Sequence, residues 1–194
     1  MTTGSVPERG TGPGAEGFEV VDTTTLCEAG FLRVERRRVA GPGGAEFDRH
    51  IVVHPGAVVV VPVDADGKAL LVRQYRVAAG RALLEVPAGK RDVDGEAPEH
   101  TAARELEEEV GRRAGRIEPL CQFFNSPGFT DEYTYVFLAT DLVETARAAV
   151  SAEEAAMTVE AVALDRVDTL IATGELVDGK SIIALTLARR KLTS

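Results

Sequence analysis

Cysteine is scarce in this chain, long apolar runs are absent, and basic residues are outnumbered. The only two cysteines, Cys27 and Cys121, lie far apart without metal-ligand spacing, so we expect reduced thiols and no zinc site. No apolar run reaches roughly 18 residues, the length of a membrane-spanning helix, and the N-terminus lacks the layout of a signal peptide. We therefore expect a cytoplasmic protein with no membrane partner.

The charge balance is acidic. The chain has 22 Lys and Arg against 31 Asp and Glu, a formal net charge of -9. Nucleic-acid binding requires a basic surface, so we expect no nucleic-acid partner. An anionic substrate would be repelled as well, unless metal ions or local arginines reverse the field at its site.

Length and composition favour one domain with a sizeable core. The chain has 194 residues, of which 44% are hydrophobic, enough to bury a substantial interior. Residues 1–17 are rich in Gly and Pro with little to bury, which predicts a flexible tail. We expect an N-terminal β-sheet region at residues 18–54 and the main domain at residues 55–194.

Hydrophobic patterning predicts a mixture of strands and helices. Strand-like alternation marks residues 18–21, 31–39 and 47–53, a small antiparallel sheet. The valine-rich runs 57–63 and 69–74 flank an Asp-Gly turn, which predicts a core hairpin. The remaining predicted elements are strands at 120–124, 133–139 and 159–164 and helices at 166–173 and 181–190. The fold class is α/β (α+β), with helices around a mixed β-sheet in an α/β/α sandwich.

One predicted helix carries an unusual concentration of acid. It begins near Pro98 and ends at Gly111, since proline suits a first helical turn and glycine a C-terminus. Glu105, Glu108 and Glu109 project from one face, where their like charges need a positive partner. Carboxylate oxygens suit a hard divalent cation. The alternative is an acidic face exposed to water.

The acidic helix resembles the signature of the Nudix hydrolase family, G-x5-E-x7-R-E-U-x-E-E-x-G-U, where U is a bulky aliphatic residue. Residues 104–111 read RELEEEVG, and seven residues separate Glu96 from Arg104. Two positions depart from the pattern: six residues separate Gly89 from Glu96, and Arg112 stands at the final aliphatic position. The metal-binding face keeps every acidic residue of the signature.

Further segments resemble the ADP-ribose pyrophosphatase branch of the family. These are RQYR at 73–76, LLEVPAG at 83–89, SPGFTDE at 126–132, and the lead-in to the C-terminal helix at 174–181. The resemblance implies hydrolysis of ADP-ribose to AMP and ribose 5-phosphate. Another nucleoside diphosphate sugar or a dinucleotide is the alternative substrate.

The resemblance also implies a set of metal ligands and catalytic groups. Magnesium, with manganese as an alternative, would be held by Glu105, Glu108, Glu109 and the backbone carbonyl of Ala88. The resemblance also implies a catalytic role for Glu108. A metal-polarised water still needs a carboxylate base, for which Glu132 is the candidate and its neighbour Asp131 the alternative.

Two arginines and two glutamates have predicted supporting roles. Arg104 would pair with a carboxylate of the acidic cluster and orient it, with Glu96 beside it. Arg76 is either a phosphate contact or a surface arginine. Glu85 either binds a ribose hydroxyl or faces solvent.

Aromatic and histidine residues give weaker predictions. Phe129 lies in the 126–132 loop and is the candidate for stacking on adenine, whereas Phe123 and Phe124 fit the core as well as a base platform. No histidine has a partner in a recognisable catalytic motif, so we assign no catalysis to His50, His54 and His100.

The resemblance finally bears on assembly and on the class of function. It implies a homodimer in which the N-terminal sheet contributes to the partner's pocket, and exposed strand edges favour such pairing. A Nudix-fold protein that senses a nucleotide without turnover is the alternative class. The intact acidic residues argue against it.

Overall fold

The computed structural model describes residues 17–147 and 155–193. The predicted tail therefore lies outside the described residues, except for Gly17. The chain divides into two compact units. Of the described residues, one unit contains 17–54 and 128–131, and the other contains 55–127, 132–147 and 155–193.

The first unit is a three-stranded antiparallel sheet. Its strands are β1 (Glu19–Ala29), β2 (Leu32–Ala40) and β3 (Glu46–Val53), with β2 in the middle. Strand β1 is far longer than predicted because its polar threonines hide the apolar alternation while still favouring extended backbone. Every residue of β1 is exposed.

The segment Gly128–Asp131 is bonded to the end of β3. The N–H of Val52 donates to the carbonyl of Phe129 at 2.7 Å, and the hydroxyl of Thr130 donates to the carbonyl of Val52 at 2.8 Å. The N–H of His54 donates to Oδ1 of Asp131 at 2.8 Å. The Asp131 carboxylate therefore fastens this segment within the first unit.

The second unit contains two sheets. The first is mixed and four-stranded, in the order β7 (Ala88–Lys90), β4 (Ala57–Pro62), β9 (Tyr133–Glu144) and β8 (Arg112–Phe124), with β4 parallel to β9. The second is antiparallel and three-stranded, in the order β10 (Thr158–Ala163), β5 (Lys68–Arg76) and β6 (Arg81–Glu85).

The predicted hairpin of β4 and β5 is wrong. The two strands lie in different sheets, and an isolated bridge pairs Val63, which follows β4, with Ala69 of β5. Each strand has a neighbour on both sides within its own sheet. Two apolar runs joined by an Asp-Gly turn carry the same local pattern whether they pair or diverge, and tertiary packing decides between these outcomes.

Helices cover both faces of β4. They are α1 (Pro98–Glu105), which continues as a π-helical turn (Leu106–Val110), α2 (Val167–Ala172) and α3 (Gly179–Leu192). One buried cluster joins Val59 and Val61 of β4 to Leu185 of α3. The other joins Val58 and Val60 to residues of α1 and of the π-helical turn. No helix in the described residues is both long and apolar enough to cross a membrane.

The acidic helix begins and ends at the expected residues. Pro98 occupies its first turn, and Gly111 ends it with a φ of 67°, a left-handed conformation that glycine adopts without steric cost. The unexpected feature is the π-helical turn between them. Such turns are wider than an α-helical turn and are frequent at functional sites.

Candidate active site

The candidate site lies where the chain crosses from one sheet of the second unit to the other. Strand β6 ends at Glu85 and β7 begins at Ala88, so Val86 and Pro87 form the crossing segment. The carbonyl of Pro87 accepts from the N–H of Val60 at 3.0 Å. The N–H of Ala88 donates to Oε2 of Glu109 at 3.0 Å. Glu109 is only 5% exposed, so the crossing segment holds a buried carboxylate of the π-helical turn.

Glu105 lies directly against Gly89. A Cβ added at Gly89 would overlap the carboxylate carbon and one oxygen of Glu105. Glycine is therefore needed here for close approach of a side chain to the backbone, because any larger residue would displace Glu105. This contact and the Ala88 bond place Glu105 and Glu109 at the start of β7.

Arg104 links the carboxylates. Its Nη1 donates to Oε1 of Glu105 at 2.8 Å and to Oε2 of Glu108 at 3.0 Å. Its Nε lies 3.5 Å from Oε1 of Glu96, whose other oxygen accepts from the Thr101 hydroxyl at 2.8 Å. The structure thus brings Arg104 to three of the predicted acidic residues.

These contacts shift pKa values in opposite directions. Burial lowers the pKa of Arg104, but the Glu105 charge and the bond to Glu96 more than offset this, so its pKa is raised. Burial raises the pKa of Glu96, but hydrogen bonds from Thr101 and Arg104 outweigh it, so the pKa of Glu96 is lowered. Both groups stay charged at neutral pH.

The acidic cluster fits a divalent cation by its chemistry. Glu105, Glu108 and Glu109 supply carboxylate oxygens from successive turns of one helix, and Gly89 provides a backbone that a side chain can approach closely. Within the described ranges, no three acidic, histidine or cysteine side chains converge closely enough to hold an ion as they stand. Arg104 binds Glu105 and Glu108 in that arrangement, so ion binding requires those two side chains to turn.

Arg76 and Glu85 form a two-bond ion pair. Nε and Nη2 of Arg76 donate to the two carboxylate oxygens of Glu85 at 2.8 and 2.6 Å. Glu85 is 1% exposed, so the alternative that it faces solvent is wrong. Its strand ends in the core instead of at the surface. The side chain of Arg76 is 38% exposed.

The surroundings of Arg76 connect this pair to the acidic cluster. The hydrogen bond to Glu85 raises the pKa of Arg76, although burial opposes the rise. The charges of Glu109 and Asp178 raise it further, which shows that both carboxylates are near enough to act on it. Arg76 therefore interacts electrostatically with Glu109 as well as with Glu85.

The structure places the predicted general-base candidates in different units. Glu132 is partly buried in the second unit, where its carbonyl accepts from the N–H of Asn125 at 3.1 Å. Asp131 belongs to the first unit, where it holds the N–H of His54. The role of Glu132 stays a prediction.

The aromatic candidates differ in their surroundings. Phe129 belongs to the first unit and is 57% exposed, and its stacking role stays a prediction. Phe123 packs against the core cluster. Phe124 is exposed and meets Tyr133 edge-on, with ring centroids 4.7 Å apart.

Sequence reasoning missed Asp178 and Ser181 as candidate functional residues. They lie at the start of α3, and Ser181 is bonded to the N–H of Val86 in the crossing segment. In the sequence they belong to the lead-in to the C-terminal helix at 174–181, which carries only a family resemblance. A contact between residues so distant in sequence leaves no local pattern.

Comparison with known proteins decides the family. A family model described as NUDIX domain matches residues 53–183. The chain belongs to the Nudix hydrolase family. It is 41% identical to the ADP-ribose pyrophosphatase of Mycobacterium tuberculosis over 165 residues, which cover 85% of this chain and 80% of that protein. It is 39% identical to the ADP-ribose pyrophosphatase of Bacillus subtilis over 150 residues, covering 77% and 80% of the two chains.

A solved structure shares the Nudix fold of this chain. The structure is described as "Crystal structure of ADP compounds hydrolase" and covers 92% of this chain and 95% of its own, with a TM-score of 0.81. At 23% sequence identity, this likeness concerns the fold alone. The predicted fold class, the Nudix assignment, the similarity to ADP-ribose pyrophosphatases and the prediction of an enzyme are confirmed.

Proposed function

We propose that this Nudix hydrolase cleaves the pyrophosphate bond of ADP-ribose to AMP and ribose 5-phosphate with the help of magnesium. The proposal rests chiefly on the acidic cluster, in which Glu105 lies against Gly89 and Glu109 is held by Ala88. The two ADP-ribose pyrophosphatases among its relatives support the choice of substrate.

A pyrophosphate presents negative charge that repels a nucleophile, and the acidic chain adds to this repulsion. A divalent cation supplies both charge neutralisation and an activated water. Glu105, Glu108 and Glu109 would hold it, with the carbonyl of Ala88 as a further oxygen ligand. Arg104 offsets the mutual repulsion of Glu105 and Glu108, and it would stay beside them as an orienting group once they turn to the ion.

Arg76 is proposed as the phosphate contact. Glu85 binds two of its N–H groups and fixes the plane of the guanidinium, and the remaining N–H groups suit phosphate oxygens. Both oxygens of Glu85 are engaged by Arg76. We therefore propose that Glu85 orients Arg76 and does not bind a ribose hydroxyl.

Glu132 is proposed as the general base. Its carboxylate would accept the proton of the attacking water. Asp131 is the weaker candidate because it accepts a hydrogen bond from the backbone of His54 and fastens its own segment. Phe129 remains the proposed stacking partner of the adenine.

We propose a cytoplasmic homodimer that binds no nucleic acid. Strand β1 is exposed along its whole length and carries Val20, Val21 and Leu26 on its surface. An exposed edge strand invites pairing, and a two-fold dimer would cover it. Size-exclusion chromatography with light scattering should give the dimer mass, and Leu26→Lys should shift it toward the monomer. A wild-type monomer at micromolar concentration would contradict this proposal.

The substrate proposal is tested with ADP-ribose, other nucleoside diphosphate sugars and dinucleotides, in magnesium and in chelator. We expect magnesium-dependent release of AMP with the highest kcat/KM for ADP-ribose. A higher kcat/KM for another nucleotide sugar would make that compound the proposed substrate, and the proposed catalytic site would be unchanged. Binding of ADP-ribose without turnover of any compound would overturn the proposal in favour of a sensor.

A further inference from the structure

Helix α3 begins at a group of buried and partly buried polar side chains. Asp178 is its N-terminal cap, and Oδ2 of Asp178 accepts from both the N–H and the hydroxyl of Ser181, at 2.9 and 2.6 Å. Ser181 is fully buried. Burial alone raises the pKa of Asp178, but Lys180, whose Nζ lies 2.7 Å from Oδ1, and Ser181 keep it lowered. Asp178 is therefore a charged acceptor.

The hydroxyl of Ser181 also accepts the N–H of Val86 at 2.9 Å. Because it donates to Asp178 at the same time, its orientation is fixed by two bonds. Val86 is 1% exposed, and a buried backbone N–H needs an acceptor. Helix α3 supplies that acceptor.

Val86 is paired in neither ladder of the second unit. The ladder between β5 and β6 ends at the pair of Val72 and Glu85. The ladder between β4 and β7 begins at the pair of Val59 and Ala88. Pro87 has no N–H, so the N–H of Val86 is the donor that can fasten the crossing segment from this side.

The segment then leads to the acidic cluster. Two residues after Val86, the N–H of Ala88 donates to Glu109. A continuous series of hydrogen bonds and backbone thus runs from Asp178 through Ser181 and Val86 to Ala88 and Glu109. Each side chain in this series is buried or partly buried, where fully satisfied polar networks hold a unique geometry.

We propose that Ser181 is a positioning residue for the acidic site: its hydroxyl, oriented by Asp178, fixes the crossing segment and thereby the Ala88 backbone and Glu109. The inference rests on the proposed function in taking Glu109 and Ala88 as metal ligands. Partners that orient metal ligands commonly affect metal affinity about 10- to 100-fold. A residue of α3 thus controls the metal site without touching it.

A helix cap alone would not need this arrangement. Capping of α3 requires only that Asp178 accept the N–H of Ser181, and Ser181→Ala keeps that bond. The variant removes the hydroxyl and its bond to Val86. Thr186→Ala is the matched control, since the hydroxyl of Thr186 lies on the same helix and donates only to the carbonyl of Ile182 among the bonds observed, at 2.7 Å.

The test compares the full-length wild type, Ser181→Ala and Thr186→Ala. Amide hydrogen exchange in metal-free protein should be faster at Val86 and Ala88 in Ser181→Ala alone. Titration with Mn²⁺, followed by electron paramagnetic resonance, should show binding weakened about tenfold in Ser181→Ala and unchanged in Thr186→Ala. The magnesium concentration for half-maximal activity should rise in parallel, while KM for ADP-ribose at saturating magnesium stays near the wild-type value.

Several outcomes would overturn the inference. Unchanged exchange at Ala88 would show that the hydroxyl does not hold the segment, and unchanged Mn²⁺ affinity would show that the segment does not position the ligands. If Ser181→Ala does not fold, amide exchange in the wild type tests the inference. Rapid exchange of the Val86 amide would show that its hydrogen bond to Ser181 is not kept, and would overturn the inference. Failure of the wild type to cleave ADP-ribose would overturn the proposed function, whereas the exchange and Mn²⁺ results stand by themselves.

Discussion

The N–H of Ala88 donates a 3.0 Å hydrogen bond to Oε2 of Glu109. This bond joins the first residue of β7 to the π-helical turn, so the carboxylate is placed by the four-stranded sheet as well as by its own helix. Its second oxygen and the neighbouring Glu105 and Glu108 are the groups proposed to hold the cation. Placement by a rigid sheet is what a catalytic metal site requires.

The first prediction is that Glu109→Gln abolishes most of the activity. Glutamine keeps the size of the side chain and an oxygen that can accept from Ala88, but it removes the charge that attracts the cation. We expect kcat/KM to fall about a thousandfold or more, roughly 4 kcal/mol of barrier. Steady-state release of AMP at saturating magnesium measures it.

Glu107→Gln is the matched control for this prediction. Glu107 lies on the same π-helical turn but pairs with Arg113, at 3.0 Å from its Nε. The substitution makes the same chemical change outside the proposed site. A comparable loss of kcat/KM in both variants would mean that the acidic helix acts through its total charge and not through three particular ligands.

The second prediction concerns Gly89→Ala. The added methyl group would overlap the end of the Glu105 side chain, which is flexible, and not the backbone. Glu105 should therefore move while the fold remains, so we expect a large loss of kcat with a melting temperature close to that of the wild type. Thermal unfolding and AMP release on the same preparation separate the two effects.

Gly179→Ala provides the control for a glycine substitution. Gly179 is the first residue of α3, and an added Cβ would meet no atom within 4 Å. Alanine favours a helix more than glycine does, so this variant should keep its activity and its stability. Full activity in Gly89→Ala would contradict the contact that we describe between Gly89 and Glu105.

The third prediction is that Arg104→Met destabilises the protein when metal is chelated. Removing the guanidinium takes away the cation that Glu105 and Glu108, both largely buried, share. We expect the free energy of unfolding to fall by about 1–3 kcal/mol. Urea unfolding in chelator measures this change.

Arg113→Met is the comparison, since the pair of Arg113 and Glu107 is exposed. Water screens such pairs, so their contribution to stability is small. The free energy of unfolding of Arg113→Met should stay near the wild-type value. Equal stability of Arg104→Met and wild type would show that the carboxylates tolerate their repulsion without this arginine.

Local patterns in the sequence predicted the acidic helix accurately. Proline and glycine mark its ends, and Glu105, Glu108 and Glu109 lie between them as expected. The π-helical turn left no signal. Neither did the divergence of β4 and β5, because a valine-rich run has the same appearance in a hairpin and at the centre of two separate sheets.

Long-range pairing accounts for the remaining differences. Glu85 was open to a solvent-facing role because a charged residue at a strand end usually faces water. Its burial depends on Arg76, which reaches it across the pairing of two strands. The bond between Ser181 and Val86 joins segments 95 positions apart in the sequence, and no periodicity of either segment records it.

The fourth prediction distinguishes the two candidates for the general base. Glu132→Gln removes the proposed proton acceptor, so we expect kcat to fall about 10²- to 10⁴-fold with little change in KM. Steady-state release of AMP from ADP-ribose measures both constants.

Asp131→Asn is the control for the general base. Asparagine keeps an oxygen that can accept the N–H of His54, so the segment Gly128–Asp131 should stay in place. We expect a nearly wild-type kcat. A large loss of kcat in Asp131→Asn, together with an active Glu132→Gln, would exchange the roles of the two residues.

The last prediction concerns the pH dependence of stability in Asp178→Asn. Asparagine can still cap α3, but it loses the charge that attracts Lys180 and strengthens the bonds from Ser181. At neutral pH we expect the free energy of unfolding to fall by about 1 kcal/mol. Because the pKa of Asp178 is lowered in the folded protein, this difference should be constant above the ordinary aspartate pKa of about 4.

Below that pH the difference should shrink. The unfolded chain takes up the proton first, and the stabilisation by ionised Asp178 is lost as the pH falls toward the lower folded pKa. Urea unfolding from about pH 3 to about pH 7, on both sides of the ordinary aspartate pKa, measures this difference in stability.

Asp168→Asn is the control, because the pKa of Asp168 is also lowered by its pair, Arg189, but its side chain is exposed. The stability of Asp168→Asn should follow that of the wild type throughout. The free energies of unfolding of Asp178→Asn and wild type could instead differ as much at about pH 3 as at about pH 7. That result would show that the Asp178 charge does not stabilise the fold.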